Sequence, residues 1–362
     1  MDKIKVLIVD DSSVIRSILK ELLSNVNDIE VVGEAENPFI ARDQIKLLQP
    51  DVLTLDVEMP KMDGITFLAN LMRLRPMPVV MLSTLTSKGA EVTLEALELG
   101  AVDFIAKPSV ETLIATKDSF KTQLVEKIRA GAPINQKNFK IDSNLKNGVS
   151  PPTLKFSGVI NHDHIIAIGA STGGTEAIKQ VVLSLPENTP PIVIALHIPS
   201  LFSARFAERL DKICNVTVQE AQHGQKLMTG NVYIAKGDRH LKIKKTGASY
   251  FCQLEDSIEV NRHKPAVDVL FESLIPVAVD VQAALLTGMG EDGAKGLLAL
   301  KENGARTIIQ NKESSLIWGM PGRAYAIKAH THEYSLEKIA KQLLTYAALT
   351  RKEMKLTVQT SQ

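Results

Sequence analysis

His164-Ile165-Ile166-Ala167-Ile168-Gly169-Ala170-Ser171-Thr172-Gly173-Gly174 decides the reading of the chain. An apolar, β-branched run stops at a Gly-x-Ser-x-Gly turn, and helical spacing follows from Thr175 to Leu185. Strand, tight corner and helix in that order are the repeating unit of a parallel α/β sheet. The corner holds the Ser171 hydroxyl clear of the sheet, beside backbone N–H groups at the start of the helix. Such a corner can present a nucleophile to an acyl carbon and stabilise the oxyanion that forms. It also suits a nucleotide phosphate, so both readings stay open here. Two features favour the hydrolase. Ser171 stands where a strict Gly-x-Gly-x-x-Gly motif needs its second glycine. The next apolar run, Pro191-Ile192-Val193-Ile194-Ala195-Leu196, ends at His197 and not at the acidic residue of a dinucleotide site.

The same rhythm extends in both directions. Downstream, strands are expected at Val216–Gln219, Val232–Ala235, Ala283–Thr287 and Ala305–Gln310. Helices are expected at Phe202–Lys212, Ala266–Pro276, Ala294–Glu302 and Ser335–Leu349, with an antiparallel pair over Leu241–Gln253 turning at Thr246-Gly247. Upstream, strands are expected at Lys5–Val9, Glu30–Ala35, Val52–Asp56, Pro78–Ser83 and Phe104–Ala106, with helical spacing at Ser13–Leu23 and Gly64–Arg73. Between the two halves, from Gly131 to Gly158, Pro, Asn, Lys and Ser replace the periodic pattern. The expectation is α/β with two doubly wound parallel-sheet domains: residues 1–130, a linker at 131–158, and residues 159–350, the last with a small antiparallel addition.

Bulk composition excludes several classes. The 362 residues are 44% hydrophobic and 23% charged, as in ordinary globular domains. A net charge of +1 gives no argument for nucleic acid, and no basic recognition helix follows the linker. No apolar run approaches a membrane span, so no direct membrane insertion is expected. The start, Met1-Asp2-Lys3-Ile4-Lys5-Val6, is not a signal peptide. Cys214 and Cys252 have no metal-ligand spacing and fit a reducing cytoplasm, so a cytoplasmic location is expected.

Chemistry-bearing residues recur at strand ends. Asp10 and Asp11 follow the first expected strand, Asp56 ends the third, Ser83 the fourth, and Lys107-Pro108 the fifth. In an open parallel sheet these positions converge on one edge. Three carboxylates there repel one another unless a hard cation joins them: Mg²⁺ on Asp11 and Asp56, with Asp10 one shell out. With Lys107 as a further positive charge, the set can accept a phosphoryl group on Asp56. Residues 3–125 resemble a response-regulator receiver domain of flavodoxin-like fold, on Asp10-Asp11, Asp56-Val57-Glu58-Met59-Pro60, Met62-Asp63-Gly64, Ser83 and Lys107-Pro108. The resemblance implies Asp56 as phosphoacceptor and the Glu58 backbone carbonyl as a metal ligand. It implies Ser83 and Phe104 as groups that respond to the phosphoryl state.

In the second half, Ser171 and His197 end neighbouring expected strands and can meet. A histidine base needs an acid to fix its tautomer. The candidate is Asp292, in Thr287-Gly288-Met289-Gly290-Glu291-Asp292-Gly293. Asp292 is equally well placed to cap the helix that follows, and both roles stay open. His162, His164, His223, His240, His263, His330 and His332 lack a ligand cluster near them in sequence and are read as non-catalytic.

Residues 159–350 resemble the catalytic domain of chemotaxis protein-glutamate methylesterases, a Rossmann-like fold. The resemblance rests on Gly169-Ala170-Ser171-Thr172-Gly173-Gly174, His197-Ile198-Pro199, Val232-Tyr233-Ile234-Ala235, Thr287-Gly288-Met289-Gly290, Asp292-Gly293 and Met320-Pro321-Gly322. Leu196 and Glu291 depart from the polar and the basic or amide residues usual at those positions. The resemblance implies a Ser171–His197–Asp292 triad, an oxyanion donor from the Met289 N–H, and Thr172 lining the site. It implies a serine esterase that demethylates glutamate methyl esters of chemoreceptors, releases methanol and deamidates receptor glutamines. Activation would come through phosphorylation of Asp56 by a chemotaxis histidine kinase with Mg²⁺, and ester hydrolysis itself would need no cofactor. In such proteins the unphosphorylated receiver covers the catalytic face. The alternative is a response regulator whose second domain only binds a protein or a nucleotide.

Overall fold

The computed structural model describes residues 3–84, 86–107, 110–132, 154 and 164–348. The chain forms two compact units that divide between Lys146 and Asn147, inside the expected linker. Most of residues 131–158, and Pro108, lie outside the described residues.

The first unit is a five-stranded parallel sheet of β1 (Ile4–Val9), β2 (Ile29–Ala35), β3 (Val52–Asp56), β4 (Val79–Ser83) and β5 (Asp103–Ala106), ordered β2-β1-β3-β4-β5. This is the flavodoxin-like order, with a switch point between β1 and β3. Helices α1 (Ser13–Ser24), α2 (Pro38–Leu48), α3 (Gly64–Leu74) and α4 (Ser87–Glu98) connect the strands, and α5 (Val110–Gly131) follows the last of them. Strands covered on both faces read as unbroken apolar runs, and β3 and β4 are buried along their whole length. The helix starts are written locally. Asn37 accepts from the N–H groups of Phe39 and Ile40 at 3.1 Å, with Pro38 as the first helical residue. Asp63 accepts from Thr66 N–H at 2.7 Å.

The second unit has a seven-stranded, all-parallel sheet of β6 (Ile165–Ala170), β7 (Ile192–Leu196), β8 (Thr217–Glu220), β9 (Asn231–Ile234), β12 (Val281–Leu285), β13 (Arg306–Gln310) and β14 (His332–Tyr334). Its order is β14-β13-β12-β6-β7-β9-β8. The chain winds outward from β6 on one side, then returns to β12 on the other. The switch point therefore lies between β6 and β12, where Rossmann-like sheets open their crevice. An antiparallel hairpin of β10 (His240–Thr246) and β11 (Ser249–Glu255) turns at Gly247-Ala248. It packs through Leu241, Ile243 and Cys252 against Leu270, Phe271 and Leu274. Helices α6 (Gly174–Leu183), α7 (Ser200–Asp211), α8 (Val267–Ser273), α9 (Ala294–Glu302), α10 (Met320–Ala326) and α11 (Leu336–Ala347) complete the unit.

Two local expectations differ from the structure. The helix expected over Ala266–Pro276 stops at Ser273, and a 3-10 segment runs over Ile275–Asp280. Pro276 lacks an N–H and crowds the preceding carbonyl, so an α-helix cannot run through it. Strand β14 was not expected; its three residues are too short for a period-two pattern to show.

At Gly64 the close approach of backbone demands glycine. A Cβ on Gly64 would lie 2.0 Å from the Asp56 carbonyl oxygen, because α3 starts directly under the end of β3. The Gly64 N–H donates to Val57 O at 2.9 Å across this junction. Gly64→Ala is expected to destabilise the first unit by about 2 kcal/mol or more, since backbone must move to admit the methyl. A urea titration following that unit's transition checks this; an unchanged midpoint would contradict it.

Candidate active site

Ser171 leaves the end of β6 with its N–H donating to Thr287 O at 3.1 Å, which ties it to the loop after β12. His197 leaves the end of β7 with its N–H donating to Ala170 O at 3.3 Å. Three neighbouring strand ends thus deliver Ser171, His197 and the 287–293 loop to one edge. There the Ser171 Oγ lies 3.1 Å from His197 Nδ1, and His197 Nε2 lies 2.8 Å from Asp292 Oδ2. With Nε2–H donating to the carboxylate, Nδ1 is left to accept the serine proton. The ring faces the opposite way from the serine-protease template, where Nε2 meets the nucleophile. His197 and Asp292 side chains are 7% and 2% exposed, so water competes little for this bond.

Asp292 bonds the His197 ring and also caps a helix, but not the one that follows it. Gly293, with φ of 82°, is the N-cap of α9, and Asp292 does not cap that helix. Asp292 caps α8 instead: Oδ2 accepts from Val267 N–H at 2.6 Å and Oδ1 from Asp268 N–H at 3.1 Å. Asp268 returns the service, accepting from Gly296 N–H of α9 at 2.7 Å. Asn261 Nδ2 donates to both carboxylates at 2.8 Å. Burial alone would raise the Asp292 carboxyl. The His197 hydrogen bond and charge, Asn261 and the Val267 N–H outweigh it and hold the group below the ordinary carboxylate value. Asp268 goes the other way: burial pushes it up to about 6, the charge of Asp292 adds to this, and Gly296 N–H and Asn261 only partly offset it.

Met289 is half-buried beside this chain, and its N–H enters no hydrogen bond among the described residues. Gly288 holds the loop close: a Cβ there would meet Ser171 Cβ at 2.9 Å and Met320 Sδ at 2.3 Å. Thr172 is buried, and its carbonyl accepts from Thr287 Oγ1 at 3.0 Å. Leu196 is core in β7, and the exposed Glu291 pairs with Arg323 at 3.3 Å, so neither departure from the motif enters the chain of hydrogen bonds.

Two histidines set aside in sequence do belong here. His240 is fully buried; its ring bonds Ile258 O at 2.9 Å through Nε2 and accepts from Ala266 N–H at 3.1 Å through Nδ1. It thereby ties together both ends of the loop that carries Asn261. His263 stacks on His197, with ring centroids 3.6 Å apart and planes 14° from parallel. Neither contact has a sequence signal, because the partners lie on segments well separated in the chain.

In the first unit, Asp10, Asp11 and Asp56 present carboxylate oxygens within 4.8 Å of one another. Lys107 Nζ lies 2.7 Å from Asp10 Oδ2 and 2.7 Å from Asp56 Oδ1. Burial pushes the Asp56 carboxyl up to about 6; Lys107 opposes this and the Asp10 charge adds to it. Glu58 N–H donates to Asp56 Oδ1 at 3.3 Å. Ser83 is buried with its hydroxyl 3.3 Å from Gly89 O, and Phe104 is buried in β5.

Fold and site define a two-unit signalling protein: a receiver-type carboxylate centre in one α/β unit and a serine–histidine–aspartate chain in the other. The CheB methylesterase family model matches residues 166–343, and the response regulator receiver domain model matches residues 6–117. A protein-glutamate methylesterase/protein-glutamine glutaminase of Hydrogenovibrio crunogenus is 45% identical over 95% of this chain and 99% of that protein. One of the same name from Salmonella typhimurium is 46% identical over 95% of this chain and 97% of its own. The crystal structure of the Thermotoga maritima CheB methylesterase catalytic domain is 35% identical and covers 50% of this chain and 97% of that chain, with a TM-score of 0.49. The response regulator domain of Thermotoga maritima CheB is 41% identical and covers 37% of this chain and 98% of that one, with a TM-score of 0.33. The chain belongs to the family of receiver-linked protein-glutamate methylesterase/protein-glutamine glutaminases.

The raised Asp56 carboxyl has a consequence for stability. Its value of about 6 exceeds the unfolded value of 3.8, so the folded state holds the proton more tightly. The charged form therefore opposes folding above pH 6, and that opposition fades as pH falls toward 3.8. Asp56→Asn is expected to stabilise the metal-free first unit at pH 7.5 by up to about 3 kcal/mol. The gain should shrink toward zero near pH 4. Urea unfolding in chelator at both pH values reads the difference; equal stability at pH 7.5 would contradict it.

Proposed function

We propose that this chain is a phosphorylation-activated serine esterase. It demethylates glutamate methyl esters on chemoreceptors, releasing methanol, and deamidates receptor glutamines. The observation that carries this reading is the Ser171–His197–Asp292 chain of hydrogen bonds, at 3.1 and 2.8 Å. We assign residues 159–350 to catalysis, 1–130 to regulation and 131–158 to the tether. A cytoplasmic location accords with the substrate face of such receptors. Among the described residues no helix is long and apolar enough to cross a membrane. Membership of a family of named enzymes speaks against an output domain that only binds.

His197 Nδ1 takes the Ser171 proton as Oγ attacks the ester carbonyl carbon. The Met289 N–H is assigned to the charge that develops on the carbonyl oxygen, with Thr172 lining the site. His197 then carries both ring protons, and Asp292 balances its charge. The Nδ1 proton passes to the departing methoxide, giving methanol and an acyl-serine. Water, deprotonated by the same nitrogen, attacks the acyl carbon; Oγ recovers its proton and glutamate is released. With a glutamine substrate the leaving group is ammonia, and the remaining steps are the same. The groups needed for these steps are all protein side chains and backbone, so ester hydrolysis needs no cofactor in this reading.

Asp56 is the proposed phosphoacceptor, with a chemotaxis histidine kinase as donor. Three hard-oxygen carboxylates within 4.8 Å, against the one charge of Lys107, fit a divalent cation of the Mg²⁺ type. Asp11, Asp56 and the Glu58 carbonyl would hold it, with Asp10 behind them; when bound it supplies neutralising charge for phosphoryl transfer. Lys107 neutralises a further phosphoryl oxygen, and Ser83 and Phe104 respond to the phosphorylated state.

Methanol release from a methylated receptor signalling fragment tests the whole reading. Release should rise with a small-molecule phosphodonor and Mg²⁺, and Asp56→Ala should lose the rise while keeping the basal rate. Ser171→Ala should abolish release, and Asp292→Asn should lower kcat by about 10⁴ by permitting the wrong histidine tautomer. Absence of release from folded protein under every condition would overturn the esterase reading. Deleting residues 1–150 is expected to raise the basal rate, as relief of a covering receiver requires; an unchanged rate would count against autoinhibition.

A further inference from the structure

Val260 to His263 form a closed two-residue turn. Val260 N–H donates to His263 O at 3.2 Å, and His263 N–H donates to Val260 O at 2.9 Å. The central residues Asn261 and Arg262 both have positive φ, 53° and 66°. A type I′ turn demands this at both central positions. Asparagine tolerates it well, whereas arginine adopts it at a cost. A left-handed arginine persists only where the surroundings fix it, and such positions gather at functional sites. The surroundings here are specific. His240 pins Ile258 and Ala266 on either side of the turn, at 2.9 and 3.1 Å. Lys264 Nζ bonds Asp256 Oδ1 at 2.9 Å and Ser257 O at 3.2 Å.

The turn delivers two side chains to the His197–Asp292 pair. Asn261 Nδ2 donates to Asp292 Oδ1 at 2.8 Å, the oxygen that does not face His197. His263 lies flat on the His197 ring, centroids 3.6 Å apart. One contact fixes the carboxylate plane and the other the imidazole plane. His197 must keep one orientation while it gains and loses a proton twice in each cycle. A ring held only through its two nitrogens, by Ser171 and Asp292, can still rock about the line that joins those bonds. A stacked neighbour removes this freedom.

We propose that Asn261 and His263 are positioning residues, a clamp formed by one tight turn that holds the Asp292 carboxylate and the His197 ring in their working orientation. The proposal rests on the triad reading given above. His263 acts through its flat face, so an aromatic ring without titratable nitrogen can replace it. The clamp acts on orientation, so it changes kcat and leaves KM nearly unchanged.

Methanol release and histidine-ring NMR on the full chain, with circular dichroism as a fold control, test this. His263→Ala should lower kcat about tenfold, the scale of a lost aromatic pair, with KM within about twofold. His263→Phe should recover kcat to within about threefold of the parent. Asn261→Gly keeps the left-handed turn, loses the amide, and should lower kcat by a similar factor. The His197 ring protons should lose their ring-current shift in His263→Ala and regain it in His263→Phe. A parental kcat in His263→Ala, or no recovery in His263→Phe, overturns the clamp. If the parent releases no methanol, the esterase reading fails by itself. The NMR arm then decides the clamp, and unshifted His197 protons in His263→Ala overturn it.

Discussion

The Asp292 carboxylate is the point on which the second unit depends. It is 2% exposed and accepts from four donors: the His197 ring, the Asn261 amide and the first two N–H groups of α8. Removing a charge from water is costly unless hydrogen bonds replace the lost solvation. Here the replacements are parts of the fold. Helix α8 can start where it does because Asp292 accepts its unpaired N–H groups, and Asp292 can stay charged because α8 starts there. Asp268 and Gly296 repeat the exchange in the other direction and lock α8 to α9. A group that fixes a histidine tautomer is thus held by the same bonds that start a helix.

Both units place chemistry by the same rule. A parallel sheet sends every strand out at one edge, so residues far apart in sequence meet without long connections. In the first unit the edge gathers three carboxylates and balances them with Lys107. Burial there is only partly offset by Lys107, with the Asp10 charge adding to it, and the raised Asp56 carboxyl is the result. In the second unit the edge gathers a neutral hydroxyl, an imidazole and one carboxylate supplied with donors. The same architecture therefore leaves the Asp56 carboxyl raised in one unit and holds the Asp292 carboxyl low in the other. A centre that receives a phosphoryl group and a cation benefits from the first arrangement; a base that must keep one tautomer benefits from the second.

Much of this was legible in the chain. β3 and α9 run over Val52–Asp56 and Ala294–Glu302 as their patterns predict, because apolar periodicity is a local property. Strand-end positions brought Ser171 and His197 to one edge, and the family resemblance added Asp292, whose role the residues alone left open between helix cap and partner of the histidine. The helix through Pro276 was misjudged although proline speaks against it; apolar spacing there continues past the point where the backbone cannot. The short edge strand β14 had no pattern to read.

By itself the sequence determined two α/β units and the strand ends that carry chemistry. Those follow from periodicity, turn residues and the parallel-sheet rule, all of which act over short stretches. Tertiary structure alone decided which helix Asp292 caps, which nitrogen of His197 meets Ser171, and that His240 and His263 belong to the site. The reason is physical. Asp292 lies 25 residues from the Val267 N–H that it accepts, and the ring of His263 reaches His197 only after β7 and the 256–266 loop have been folded onto one edge. Contacts between distant segments depend on how the layers pack, and no local pattern records that.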